Sequence, residues 1–186
     1  MNAFETIAAL TALTGVYLTT RKLSLGWFLG LVGAVLYAWL FFENKLYAEG
    51  CLQIVYAVLG LRGWLLWKDQ ANANEAPVHK LSRINFVIGL AATAVLTLLV
   101  GLALQRYSDS DVPWLDAFLA AAGLTVTFWM MRRYLENWLF WIGIDLLSAM
   151  LYFNRGLHVS GLLYLIFMLT AVYGYLHWKK TLVTLD

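Results

Sequence analysis

Seven runs of apolar residues dominate this chain, at about 4–20, 25–42, 47–67, 84–105, 114–131, 138–153 and 158–178. Each is close to the ~20 residues that a helix rising ~1.5 Å per residue needs to cross ~30 Å of hydrocarbon. A soluble domain could not bury so much: 62% of the 186 residues are hydrophobic and 13% charged, against about a quarter charged in ordinary globular domains. The expected fold class is an all-α integral membrane protein with seven transmembrane helices. The second and sixth runs are short enough that their limits depend on how deep the connecting loops sit.

The N-terminal stretch lacks the basic n-region of a cleaved signal peptide and has Glu5 there instead, so the first run is expected to stay as a helix. Cys51 is the single cysteine. It has no intramolecular disulfide partner, and inside the third run it is expected to pack as a small apolar residue. Arg21, Lys22, Lys68, Lys80, Arg83, Arg132, Arg133, Lys179 and Lys180 lie in the first, third and fifth connections and the C-terminal tail, whereas the other loops carry Lys45, Arg106 and Arg155. Nine against three places the N-terminus outside and the C-terminus in the cytoplasm, because basic loops stay cytoplasmic. A net charge of +2 gives no electrostatic case for a nucleic-acid partner.

The chain also reads as a duplicated unit. Trp67 and Trp178 each precede Lys and follow a Gly by four positions, Gly63 and Gly174, and they lie 111 residues apart. The same ungapped offset pairs Gly50 with Gly161, Leu46 with Leu157, Phe42 with Phe153, Trp27 with Trp138, Arg21 with Arg132, Lys22 with Arg133 and Glu5 with Asp116. Three helices per repeat and one unpaired linker helix give a 3+1+3 arrangement: residues 1–68, a loop and linker over 69–113, and residues 114–186. One linker helix returns the chain to its starting side, so the repeats are parallel, as in SWEET-type transporters, with substrate near the midplane where the halves meet. Ile84 to Leu104 has no charge, Trp or Tyr, as expected of a lipid-facing spacer. The loop from Lys68 to Arg83 is the candidate flexible connection.

An ionisable group within a membrane span costs ~2.5–3.5 kcal/mol on insertion scales, so each needs a reason. Asp145, Arg62, Glu49 and the polar Gln53 are the candidates. Asp145 is deepest, roughly 10 Å along its helix from Trp138. Trp138, Trp141 and Asp145 follow i, i+3, i+7 spacing and share one face. Two indoles and a carboxylate suit a flat cationic ring. Trp138 equally suits an interfacial aromatic belt, whereas Trp141 and Asp145 replace Gly30 and Ala34 of the first repeat. Arg62, at a similar depth on the third helix, either pairs with Asp145 or snorkels to headgroups. Gln53 and Tyr56 are expected to face the cavity, and Glu49 to be solvated at the interface.

No GxxxxGK[ST] element is present, so no ATP site is expected. His79, His158 and His177 are not spaced as metal ligands, and no Ser/His/Asp grouping emerges. No lysine lies inside the last span, as a retinal protein would require. The reading is therefore not an enzyme, with no cofactor and no metal. Gly26, Gly30 and Gly33 are expected to allow close helix packing.

Taken together, Arg132-Arg133-Tyr-Leu-Glu-Asn-Trp138-Leu-Phe-Trp141-Ile-Gly-Ile-Asp145, Gly156-Leu157, Gly174-Tyr-Leu-His-Trp178, Leu46-Tyr47-Ala48, Leu52-Gln53 and Gly63-Trp64-Leu-Leu-Trp67 resemble the PnuC family of vitamin transporters over nearly the whole chain. That resemblance implies a SWEET-related fold, facilitated uptake of nicotinamide riboside or a related vitamin across the cytoplasmic membrane, and a site lined by Gln53, Trp138, Trp141 and Asp145. It also implies a homotrimer. Net accumulation by facilitated diffusion would then need a cytoplasmic kinase to trap the cargo. Three positions depart from the pattern: Phe128 replaces a common Gln, Arg62 a common Tyr, and Asp145 a common Asn. A carboxylate with two indoles suits the permanent cations nicotinamide riboside and thiamine alike; riboflavin or a deoxynucleoside, and a seven-helix sensor or structural protein, are the alternatives.

Overall fold

In the computed structural model, the described residues are 3–43, 47–68 and 77–182. They form seven helices: α1 (Ala3–Thr20), α2 (Ser24–Glu43), α3 (Tyr47–Lys68), α4 (Arg83–Tyr107), α5 (Pro113–Met131), α6 (Asn137–Asn154) and α7 (His158–Lys179). Every end lies within two residues of its expected position. By length and composition α2, α3, α4, α5 and α7 are able to cross a membrane. α6 is an 18-residue helix whose apolar character is diluted by Asn137, Asp145, Ser148 and Asn154. Large apolar side chains lie on the exterior, among them Ile84, Val87, Ile88, Val95 and Leu99 of α4, which is the reverse of a soluble surface and the expected exterior for hydrocarbon.

The chain divides into two compact units, one comprising Met1–Pro77 with Thr170–Val183, the other Val78–Leu169 with Thr184–Asp186. In the first, α2 packs against both α1 and α3. Glycine sets how closely. A Cβ at Gly26 would strike Thr19 and the Gly15 carbonyl, and one at Gly63 would enter the Trp27 indole. Gly33 also faces α1, at Ala12; a Cβ at Gly30 would meet nothing within 4 Å, although the Gly30 amide lies 3.0 Å from where a Gly15 Cβ would stand, so the close approach there depends on Gly15. Trp27 meets Trp67 edge-on at 5.5 Å, Trp67 lies 6.1 Å from Trp178, and the Trp178 indole donates to the Thr20 carbonyl at 2.9 Å. Cys51 is exposed; the alternating burial on α3 turns it outward instead of into the packing expected from its size.

In the second unit, α5 lies against α4 and α6. Gly89 and Gly101 of α4 receive the indoles of Trp129 and Trp114, and Thr93 donates to Thr125 at 2.9 Å. Ala122, Val126, Trp129 and Ile144 form the α5–α6 core, with Leu81, Leu119, Tyr134, Phe140 and Trp141 against it. The latter part of the expected flexible connection is docked here. Val78 is fully buried, His79 N–H donates to the Arg133 carbonyl at 3.0 Å, and Leu135 N–H donates to the His79 carbonyl at 2.9 Å.

Candidate functional site

The site begins at the turn that launches α6. α5 ends in a Schellman arrangement: Tyr134 N–H reaches the Trp129 carbonyl at 3.1 Å and Arg133 N–H the Met130 carbonyl at 2.9 Å, with Arg133 at φ 57°. This left-handed position usually belongs to glycine. Burial of the Arg133 side chain pushes its guanidinium down to about 10. Two acceptors then fix the entry to α6. Glu136 Oε2 accepts Leu81 N–H at 2.8 Å, and Tyr134 Oη accepts the Asn85 amide at 2.9 Å. Asn137 is fully buried and donates to the Tyr134 carbonyl at 2.6 Å, while its Oδ1 has no partner among the described residues.

Along α6, Trp138, Trp141, Asp145 and Ser148 recur at three- and four-residue spacing and so share a face. Trp138 is 1% exposed. A belt indole would meet lipid, so the interfacial reading of Trp138 does not hold; Trp27, its counterpart 111 positions earlier, is buried as well. Trp141 is half-buried, with part of its ring packed on the α5–α6 core. Asp145 is 5% exposed, and among the described residues no hydrogen bond or ion pair reaches its carboxylate. That is costly. A buried carboxyl group without a partner is tolerated where a ligand supplies one.

Ser148, also 5% exposed, continues the face one turn on and was missed in the sequence because a lone serine in an apolar run is unremarkable by type. Beyond it Tyr152 stacks on Tyr164 of α7 at 5.2 Å and 15°, and Tyr164 meets Phe167 edge-on at 6.1 Å.

The remaining candidates lie on α3. Gln53 and Tyr56 are half-buried, and no hydrogen bond reaches the Gln53 amide among the described residues. Arg62 is exposed, next to the exposed Leu61 and near Leu65 and Leu66. That is the setting of a side chain that snorkels along the apolar surface. The side chain of Glu49 lies outside the described residues.

Seven helices with an apolar exterior, and a buried carboxylate beside two indoles on one of them, define a polytopic membrane protein of the transporter class. The chain belongs to the nicotinamide mononucleotide transporter family, whose model matches residues 2–180. Among curated relatives it is similar to the nicotinamide riboside transporter PnuC of Escherichia coli, with 24% identity over 96% of this chain and 85% of that protein. The PnuC of Neisseria mucosa is 28% identical over 96% and 74%. The riboflavin/roseoflavin transporter RibM of Streptomyces davaonensis is 29% identical over 74% of this chain and 66% of its own length. The fold is similar to that of the crystal structure of the vitamin B3 transporter PnuC, with a TM-score of 0.76, 26% identity, and coverage of 96% of this chain and 81% of that one.

Proposed function

We propose that this protein carries nicotinamide riboside across the cytoplasmic membrane by facilitated diffusion. The observation that carries the reading is Asp145: a carboxylate 5% exposed inside an apolar helix, without a described partner, on the same face as Trp138 and Trp141. A permanently cationic aromatic ring satisfies both halves of that face, through charge at Asp145 and π-stacking at the indoles. Gln53, half-buried on α3, would hydrogen-bond the cargo's polar groups, with Tyr56 beside it. Arg62 takes the snorkelling role that its exposure favours. Thiamine shares the cationic ring and is the discriminating competitor.

In this reading the two three-helix repeats, joined by α4, expose the site to one side at a time. Three local matches at an offset of 111 support a repeated unit. Leu23 N–H reaches the Leu18 carbonyl and Lys22 N–H the Thr19 carbonyl in the same Schellman pattern as at Arg133. Lys22 stands at φ 59°. Gly50 faces the Phe42 ring as Gly161 faces Phe153. The N-terminus is placed outside and the C-terminus in the cytoplasm by the basic loops, and a homotrimer is the proposed assembly. In facilitated diffusion, a cytoplasmic kinase would retain the cargo.

Uptake into proteoliposomes tests this. Labelled nicotinamide riboside should enter faster than into empty vesicles, compete with thiamine to a lesser extent, and be indifferent to riboflavin. Entry at the empty-vesicle rate sinks the assignment, and faster entry of thiamine or riboflavin reassigns the cargo.

A further inference from the structure

Ser148 lies on the buried face of α6 one turn beyond Asp145, and neither charge balance nor ring stacking uses it. Both residues are 5% exposed, and at i, i+3 their Cβ atoms are neighbours, about 5–6 Å apart. A buried serine or threonine within a helix ordinarily returns its hydroxyl to the carbonyl four residues back. Thr19 donates to the Gly15 carbonyl at 2.9 Å and Thr127 to the Gly123 carbonyl at 2.8 Å in this way. Ser148 does not: among the described residues no hydrogen bond reaches its hydroxyl or the Asp145 carboxyl group. Two adjacent polar groups are thus left open on one buried face, which costs free energy unless a ligand bearing hydroxyls completes them.

Aromatic rings bound this polar interval along the helix. Trp141 stands about 6 Å before Asp145 along the axis, and Tyr152, one turn past Ser148, stacks on Tyr164 at 5.2 Å and 15°. Between Trp141 and Tyr152 the chain has no Lys, Arg or His, and Asp145 and Ser148 are its polar side chains. One carboxyl group beside one hydroxyl is the complement of a vicinal diol. The next step rests on the assignment of this face to nicotinamide riboside. In that cation the ring nitrogen that bears the charge also bears the sugar, so a carboxyl group that balances the charge lies against the neighbouring 2′-hydroxyl. Carboxyl groups accept from ribose hydroxyls in this way at dinucleotide sites. The group next along the sugar is the 3′-hydroxyl. We infer that Ser148 is a specificity-determining residue that hydrogen-bonds the ribose 3′-hydroxyl and forms, with Asp145, a diol clamp. A site built to hydrogen-bond a hydroxyl rejects analogues that lack it, so the clamp separates an N-riboside from thiamine, a flat cation without a diol.

The test is titration of the full chain in detergent with nicotinamide riboside and with its 3′-deoxy analogue, read by tryptophan fluorescence. The native protein should bind the analogue about threefold to tenfold more weakly, the loss of one hydrogen bond. Ser148→Ala should weaken nicotinamide riboside by the same factor and leave the analogue unchanged, a non-additivity that a general disturbance of the site does not produce. The melting temperature of the empty Ser148→Ala protein should hold, because the hydroxyl has no described partner to lose. A native protein indifferent to the 3′-hydroxyl, or a variant that loses affinity for both ligands equally or for neither, overturns the clamp while leaving the cargo standing. A native protein that does not bind nicotinamide riboside sinks the cargo assignment itself, and the clamp with it.

Discussion

Lys22 and Arg133, 111 positions apart, both stand at left-handed backbone angles, φ 59° and 57°, at the ends of α1 and α5. Each donates one bond of a Schellman hydrogen-bond pair and each side chain is buried. A Cβ at such an angle costs roughly 1–2 kcal/mol, so the usual order of alanine and glycine reverses. At either position the Gly variant should be more stable than the Ala variant by about 1 kcal/mol, since both lose the same side-chain contacts. Denaturant unfolding in detergent measures the pair, and an Ala variant as stable as Gly refutes the backbone assignment.

The depressed guanidinium of Arg133 predicts a narrow pH effect. Below about 10 it is charged in folded and unfolded chains alike, so it contributes no pH dependence there. Above about 10 and below the ordinary arginine range, the unfolded chain binds more protons, and stability should rise with pH relative to Arg133→Ala. Unfolding midpoints of the two proteins from pH 9 to 11.5 should diverge only above about 10; parallel curves would remove the desolvation argument.

Glycine contacts divide into two kinds. Gly63→Ala and Gly89→Ala drive a methyl into the Trp27 and Trp129 rings and should each cost ~1–3 kcal/mol. Gly30→Ala and Gly143→Ala meet nothing within 4 Å and should stabilise their helices by ~0.5–1 kcal/mol. Melting temperatures of the four variants should therefore split into two lowered and two raised.

Glu136 ties the segment before α4 to the entry of α6 through Leu81 N–H. Glu136→Ala should cost ~1.5–3 kcal/mol, the worth of a charge-assisted hydrogen bond, with the effect local. Hydrogen exchange should accelerate at the Leu81 amide before any helix opens. Protection retained at Leu81 contradicts the contact.

Asp145→Asn keeps the shape and removes the charge. Affinity for nicotinamide riboside should fall about tenfold or more, on the scale of a charged hydrogen bond at ~1.5–3 kcal/mol. The melting temperature of the empty protein should hold or rise, because a buried carboxyl group without a described partner is being replaced by a neutral amide of the same shape. Lower stability with unchanged affinity would make Asp145 structural.

Hydropathy alone located all seven helices to within two residues, because lipid exposure writes length and polarity directly into the chain. The α6 face was legible for the same reason: a carboxylate in an apolar helix stands out by type. Less visible was whatever depends on backbone. His79 docks through its N–H and carbonyl, which leave no mark on side-chain choice, and Lys22 and Arg133 hold a position where glycine would have announced the turn. The burial of Trp138 also escaped, since an indole near a helix end has the same letter whether it meets lipid or protein.

The open carboxylate of Asp145 has a practical corollary. On the proposed assignment of Asp145 to the cargo site, the vitamin would act as a folding ligand, adding RT ln(1 + [L]/Kd) to the stability of the native state. Cargo in the growth medium and in every purification buffer should then raise the yield of intact transporter, and in the cell the abundance of the carrier would follow the supply of what it carries.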